Sequence, residues 1–233
     1  MTHVTGIIFD KDGTLFDFNA TWVAWTKAFL TELAGGDMQI AQALGGAIGF
    51  DMAGQSFAPD SPVIAGTPAD VAGHLLPYLP GSTPAALITR MNASAALAPM
   101  QQATPLKPLL SHFTAQGIRV GVATNDAEAP ARAHLRAVGV EDRFDFIAGC
   151  DSGYGAKPGP GQLLAFADQM GVNPADVLMV GDSRHDLIAG RAAGMGTVGV
   201  LSGLATARDL EGFADIILAD IGHLPGYLML QAA

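Results

Sequence analysis

The chain has 233 residues, 49% apolar and 15% charged, with 22 acidic against 12 basic side chains and a net charge of −10. That composition suits one large globular domain or a core with an insert, and it excludes an extended disordered chain. The acidic balance argues against a broad nucleic-acid or anionic-membrane surface, while a single cysteine, Cys150, excludes an intrachain disulfide or a multi-cysteine zinc site.

The first predicted element is an apolar strand at residues 4–9. No basic leader precedes it, and no apolar run approaches the roughly 18 residues of a spanning helix, so a soluble cytoplasmic protein is expected. The strand ends in Asp10-Lys11-Asp12-Gly13-Thr14. Two carboxylates so close at the end of a buried strand repel unless something neutralises them. A mainly helical insert is predicted over 18–99, with helices at 21–33, 39–44, 69–79 and 84–97 and a small hairpin within 49–58. Gly35-Gly36 and Gly45-Gly46 interrupt it. Trp22 and Trp25, three apart, share a helix face. They are expected to pack the insert's own core, the alternative being that Phe18 or Trp22 faces a ligand.

Beyond the insert, helices are predicted at 106–116, 128–138, 161–170 and 186–193, each followed by a glycine stop: Gly117, Gly139, Gly171 and Gly194. Between and after them run apolar strands at 118–123, 144–148, 177–180, 197–201 and 215–218. Strands alternating with helices predict an α/β fold, a doubly wound parallel sheet. The catalytic core is expected to comprise residues 1–17 and 100–233, and the helical insert 18–99.

Ligands of such sheets bind beyond the carboxyl ends of the strands. Those ends carry Asp10 and Asp12, then Thr124 and Asn125, then Lys157 in the loop GAKPGP, then Asp182 and Asp186 in GDSRHD. Four gathered carboxylates imply a divalent cation, and hard oxygen ligands suit Mg²⁺. Mg²⁺ and Lys157 would neutralise a phosphoryl group. Thr124 Oγ1 and backbone N–H groups of the loop after Asp10 would hydrogen-bond its oxygens. One carboxylate can attack phosphorus, and a second can protonate the leaving oxygen and later deprotonate water. Read singly, each motif is also a turn, a helix cap or a solvated lysine. Four in order, each after a strand, outweigh that reading. Cys150 reads as a small buried apolar residue, and His185 as a surface residue or one behind the ligands.

DKDGT, the threonine of VATN, the lysine of AKPGP and GDSRHD resemble the four motifs of the haloacid dehalogenase superfamily, and the insert resembles its helical cap. The resemblance implies a Rossmann-like core. It makes Asp10 the nucleophile and a metal ligand. Asp12 becomes the general acid/base, with its backbone carbonyl on the metal. Thr124 becomes the phosphoryl-binding hydroxyl, with Asn125 beside it on the substrate. Lys157 becomes the lysine that steadies nucleophile and phosphate, Asp182 a metal ligand, and Asp186 a second acid at the metal. Dehalogenases of the superfamily lack the second aspartate of the first motif, so Asp12 favours phosphoryl transfer. DKDGTLFD, VATND, AKPGPG and GDSRHDLIAGRAAGM are similar to phosphoglycolate phosphatases, from which His185 departs where asparagine is frequent.

Between residues 18 and 99 the only cations are Lys27 and Arg90, with His74 as a third candidate. That favours a small phosphorylated metabolite with at most one further anionic group. Phosphoglycolate fits, with Arg184 contributing from the core side. The expectation is a Mg²⁺-dependent phosphatase with an aspartyl-phosphate intermediate, a monomer or homodimer with no nucleic-acid or membrane partner. The alternatives within the superfamily are a β-phosphoglucomutase-like transferase and a pyrophosphatase. A non-catalytic, receiver-like phospho-acceptor is the alternative of another class. The insert argues against it, because a lid is what a hydrolase needs to exclude bulk water.

Overall fold

The computed structural model describes residues 4–232, so residues 1–3 and 233 of the predicted core lie outside the described residues. Strand β1 (Gly6–Phe9) reads GIIF and is buried along its whole length. Such a strand needs cover on both faces. Ile7 and Phe9 join one hydrophobic cluster with Leu110 and Phe113, whereas Ile8 joins another with Phe166 and Met179, as the two-residue alternation of a strand requires.

The insert follows as α1 (Phe18–Leu33), α2 (Met38–Ala47), a hairpin of β2 (Phe50–Asp51) and β3 (Ser56–Phe57), α3 (Pro62–Ala65), α4 (Pro68–Leu75) and α5 (Pro84–Ala95). Its helices enclose a cluster of their own around Phe29, Leu30, Leu44, Val71, Leu75, Leu87 and Met91. Helix α1 starts three residues before its predicted onset because the Asp17 side chain accepts from Ala20 N. Helix α2 runs through Gly45-Gly46 instead of stopping there. Gly45 packs against the hairpin, and a Cβ on it would lie 2.6 Å from the Phe50 carbonyl oxygen. The predicted helix 69–79 divides at its C-terminal end, where Pro77 falls in a 3₁₀ turn. Helix α3 was not predicted; Ser61 caps it and Pro62 begins it.

The chain returns through residues 100–103, which pair with the outgoing segment: Asp17 N donates to Gln101 O (2.9 Å) and Ala103 N to Leu15 O (3.0 Å). Then come α6 (Leu106–Ala115), β4 (Arg119–Ala123), α7 (Glu128–Ala137), β5 (Phe146–Ala148), α8 (Gly161–Met170), β6 (Val177–Gly181), α9 (Arg184–Ala192), β7 (Gly196–Val200), α10 (Ala207–Leu210), β8 (Ile216–Leu218) and α11 (Leu224–Ala232). The large sheet is parallel, in the order β5-β4-β1-β6-β7-β8. Gly117, Gly139, Gly171 and Gly194 all adopt positive φ, as helix stops require. With β1 central, the chain leaving it stands between the ends of β4 and β6, which brings the motif residues to one edge. Among the described residues no helix is long and apolar enough to cross a membrane.

Candidate active site

Asp10 follows β1 directly, its N–H donating to Val180 O of β6 (2.8 Å). The chain then turns sharply at Gly13, whose φ is +78°. A Cβ at Gly13, or at Gly203 in the loop after β7, would overlap the Asp182 carboxylate. Ser202 Oγ ties the two loops by donating to Gly13 O (2.8 Å).

Lys157 organises the centre. Its buried ammonium lies 2.5 Å from Asp10 Oδ1, 2.6 Å from Asp186 Oδ1 and 2.7 Å from the Ala123 carbonyl oxygen. Its backbone is pinned by Asn125, which accepts from Lys157 N (2.8 Å) and donates to Lys157 O (2.9 Å). Asp186 stands in the first turn of α9, where Oδ2 accepts from Ser183 N (3.0 Å) and Ser183 Oγ (2.7 Å). This capping box explains why α9 begins at Arg184, two residues before its predicted start. Thr124 is buried at the end of β4, and its Oγ1 accepts from Asp126 N (3.1 Å). The turn role and a place at the site coexist there.

Asp10, Asp182 and Asp186 each offer an oxygen within 4.8 Å of the others. Three carboxylates against the single Lys157 ammonium leave a deficit of positive charge. Burial, opposed by Lys157 and reinforced by Asp186 and Asp12, pushes the Asp10 carboxyl up to about 7. Burial, then Asp10 and Asp186, raise Asp182 as well. Burial would lower the Lys157 ammonium, but Asp10 and Asp186 outweigh it and hold the group charged. A cluster of hard oxygens short of positive charge fits a divalent cation.

Asp12 shares the cavity with Asp10, but its carboxylate is not part of that acidic group. It turns instead to Lys11, a residue not assigned a role from the sequence. Lys11 is fully buried. Its Nζ lies 2.6 Å from Asp12 Oδ2, 2.9 Å from Asp126 Oδ2, 3.2 Å from His134 Nδ1 and 5.3 Å from the centre of the Trp22 ring. His134 donates through Nε2 to the Ala95 carbonyl oxygen at the end of α5 (2.7 Å), which leaves Nδ1 to accept from Lys11. Burial first, and then Lys11, push the His134 imidazole down to about 4, so it is neutral. Burial raises the Asp126 carboxyl, with Lys11 opposing. Gln162, also unassigned from sequence, is buried and donates through Nε2 to Thr124 O (3.1 Å) and Gly155 O (2.9 Å), bracing both loops.

Asn125 Nδ2 also donates to Ala65 O of α3 (2.8 Å), so its amide ties the helical insert to the core. Over the site lies a cavity that opens to solvent between the insert and the core. Phe18 and both tryptophans line it, along with His185. Trp22 therefore packs with Phe18 and Ala95 and faces the cavity as well. Arg184 does not line it. Its guanidinium is drawn to Asp209 (Nε to the carbonyl oxygen, 2.7 Å) and lies over the Phe213 ring, which corrects the expected contribution from the core side. Cys150 is half-buried rather than buried, and burial with Asp151 pushes its thiol up to about 11.

A family model of haloacid dehalogenase-like hydrolases matches residues 4–194. A phosphoglycolate phosphatase of Rhodospirillum rubrum is 43% identical over 90 residues, covering 39% of this chain and 37% of that protein. The chain matches between 37% and 53% of the length of such curated relatives. Among solved structures, a haloacid dehalogenase-like hydrolase structure from Bacteroides fragilis aligns over 95% of this chain and 99% of that one, with TM-score 0.66 and 26% identity. A β-phosphoglucomutase from Clostridium difficile aligns over 98% and 97% respectively, with TM-score 0.59 and 20% identity. The second likeness is one of fold alone.

Proposed function

The chain belongs to the haloacid dehalogenase-like hydrolases, and from that premise we propose that it is a Mg²⁺-dependent phosphatase of a small phosphate monoester. The observation that carries this reading is the buried Asp10–Lys157 pair beside Asp182 and Asp186, at the floor of a cavity roofed by the insert. Asp10 is the nucleophile. Its carboxylate oxygen forms a bond to phosphorus, and the ester P–O bond breaks. The leaving oxygen takes its proton from Asp12. Water then attacks the phosphorus of the aspartyl phosphate and gives a proton to Asp12, which restores Asp10 and releases inorganic phosphate. Lys157 and Thr124 hold the phosphoryl oxygens, and Asn125 orders the Lys157 loop beside them. Asp10, Asp182 and Asp186, with the Asp12 backbone carbonyl, would hold Mg²⁺, which when bound supplies the positive charge the carboxylates and phosphoryl group require.

Phosphate release from a panel of monoesters tests this reading. Release should vanish on thorough chelation, return with Mg²⁺, and be abolished by Asp10→Asn. Appreciable turnover by Asp10→Asn would remove Asp10 as nucleophile. Isomerisation of a sugar phosphate without phosphate release would make the enzyme a mutase. A stable phospho-Asp10 that never turns over would make it a phospho-acceptor. Phosphoglycolate is the panel member that the names of the relatives suggest.

A further inference from the structure

The cavity above Asp10 is built from two unlike halves. Its floor carries the carboxylates and Lys157, while its roof and inner wall come from the insert and are lined by Phe18, Trp22, Trp25, Phe29, Leu75 and Met91, side chains that are otherwise largely buried. Several of these belong to the hydrophobic cluster inside the insert, so the space above Asp10 runs into that core. The cationic side chains of the insert do not line it. Arg90 is exposed and paired with Glu32 (2.9 Å). On the floor Lys157 is held by two carboxylates, and Lys11 is enclosed by Asp12 and Asp126.

One feature of the inner wall is polar and unsatisfied. Thr26 is buried, with 1% of its surface exposed, and its Oγ1 has no hydrogen-bond partner. A buried hydroxyl left alone in an apolar wall is costly, and a ligand oxygen is one way to satisfy it. Asn92, on α5, also lines the cavity.

We propose that the ester hydrolysed here carries an apolar, uncharged organic group, aromatic or branched, with at most one hydroxyl or ether oxygen placed to meet Thr26. A second anionic group such as the glycolate carboxylate would lose its hydration against aromatic and aliphatic walls, and apart from the His185 imidazole on the core side the lining offers it no basic side chain that is not already paired. An aromatic ring loses nothing polar on entering and gains the contact of two tryptophans and two phenylalanines. This refinement sets phosphoglycolate aside. For the reaction it rests on the phosphatase reading; for the contents of the cavity it rests on the lining alone.

Two measurements on the full chain separate these dependencies. The first compares kcat/KM for benzyl phosphate and phosphoglycolate with Mg²⁺ supplied. Benzyl phosphate should be favoured by about 100-fold or more, the scale expected when one ligand must bury an unpaired charge and the other need not. Phosphoglycolate equal or better would overturn the inference and leave the phosphatase standing. The second uses the fact that the chain holds two tryptophans, Trp22 and Trp25, and both line the cavity. Titrating Asp10→Asn with each ester should shift the tryptophan emission at lower concentration for benzyl phosphate. If neither ester is hydrolysed by the wild type, that shift would still sustain the apolar cavity while the phosphatase reading falls. Absence of any shift with benzyl phosphate would overturn the inference whatever the kinetics.

Discussion

Replacing Lys11 by methionine removes one charge and keeps most of the stem that packs beneath Trp22. In the wild type the ammonium offsets two carboxylates, Asp12 at 2.6 Å and Asp126 at 2.9 Å. Without it both are left facing each other and the neutral His134. Stranding one partner of a fully buried ion pair costs about 3–5 kcal/mol. Asp12 and Asp126 keep 14% and 22% of their side-chain surface, so water recovers part of that loss, and a destabilisation of about 2–4 kcal/mol is expected. Urea unfolding followed by circular dichroism measures it. Adding Asp126→Asn to Lys11→Met removes one of the two stranded charges and should return roughly 1–2 kcal/mol, within the range for directly coupled residues. Lys11 also holds the Asp12 carboxylate in place, so kcat should fall by about 10- to 100-fold with a smaller change in KM, part of the usual effect of a general acid/base. Stability within about 0.5 kcal/mol of wild type, or a double variant no more stable than the single one, would refute the reasoning.

The neutral His134 makes a pH prediction whose sign is definite. Its pKa is about 4 in the fold against an ordinary 6.5, so between those values the unfolded chain binds the extra proton. Its contribution is complete above 6.5 and is lost as the pH falls towards 4. The stability difference between wild type and His134→Leu should therefore shrink by up to about 1.4 kcal/mol per pH unit across that window, and a constant difference in urea melts would contradict the assignment. Gly203→Ala pushes a methyl into the Asp182 carboxylate. Calorimetric titration with Mg²⁺ should show binding weakened by about 10-fold or more, as expected when a carboxylate ligand is displaced, and unchanged binding would show that Asp182 is not a ligand.

The layout of the sheet was readable because its signals are local and repeated. Strands buried on both faces must be apolar on successive residues, as Ile7, Ile8 and Phe9 are, and the four helix stops are glycines at positive φ. The motif residues were readable because each follows a strand, and a parallel sheet carries all such positions to one edge. What local reading lost were boundaries governed by packing. Helix α2 runs through Gly45-Gly46 because the hairpin closes against Gly45, a contact that no helix propensity reports. Arg184 stood next to Asp182 and Ser183 in a promising motif, yet α10, itself not predicted, takes its guanidinium away from the site.

Lys11 was illegible for a different reason. A lysine is expected in water, and nothing near it in sequence except Asp12 says otherwise. The partners that permit its burial are Asp126 and His134, more than a hundred residues away on the chain. They reach it because β4 lies beside β1 and α7 follows the loop that carries Asp126. His134 then passes the arrangement on to the insert through the Ala95 carbonyl oxygen, and Asn125 does the same through Ala65. The side chain that orients Asp12 and one that orders the Lys157 loop are thus each tied, directly or through one neighbour, to the unit that roofs the cavity. A substrate that props the insert away from the core must break at least one of these ties. One that fits beneath it keeps Asp12 and Lys157 where the proposed mechanism needs them. If the proposed mechanism and the apolar leaving group both hold, selection by the roof and alignment of the carboxylates below it are one equilibrium, and the choice of leaving group is linked to the rate at which it leaves.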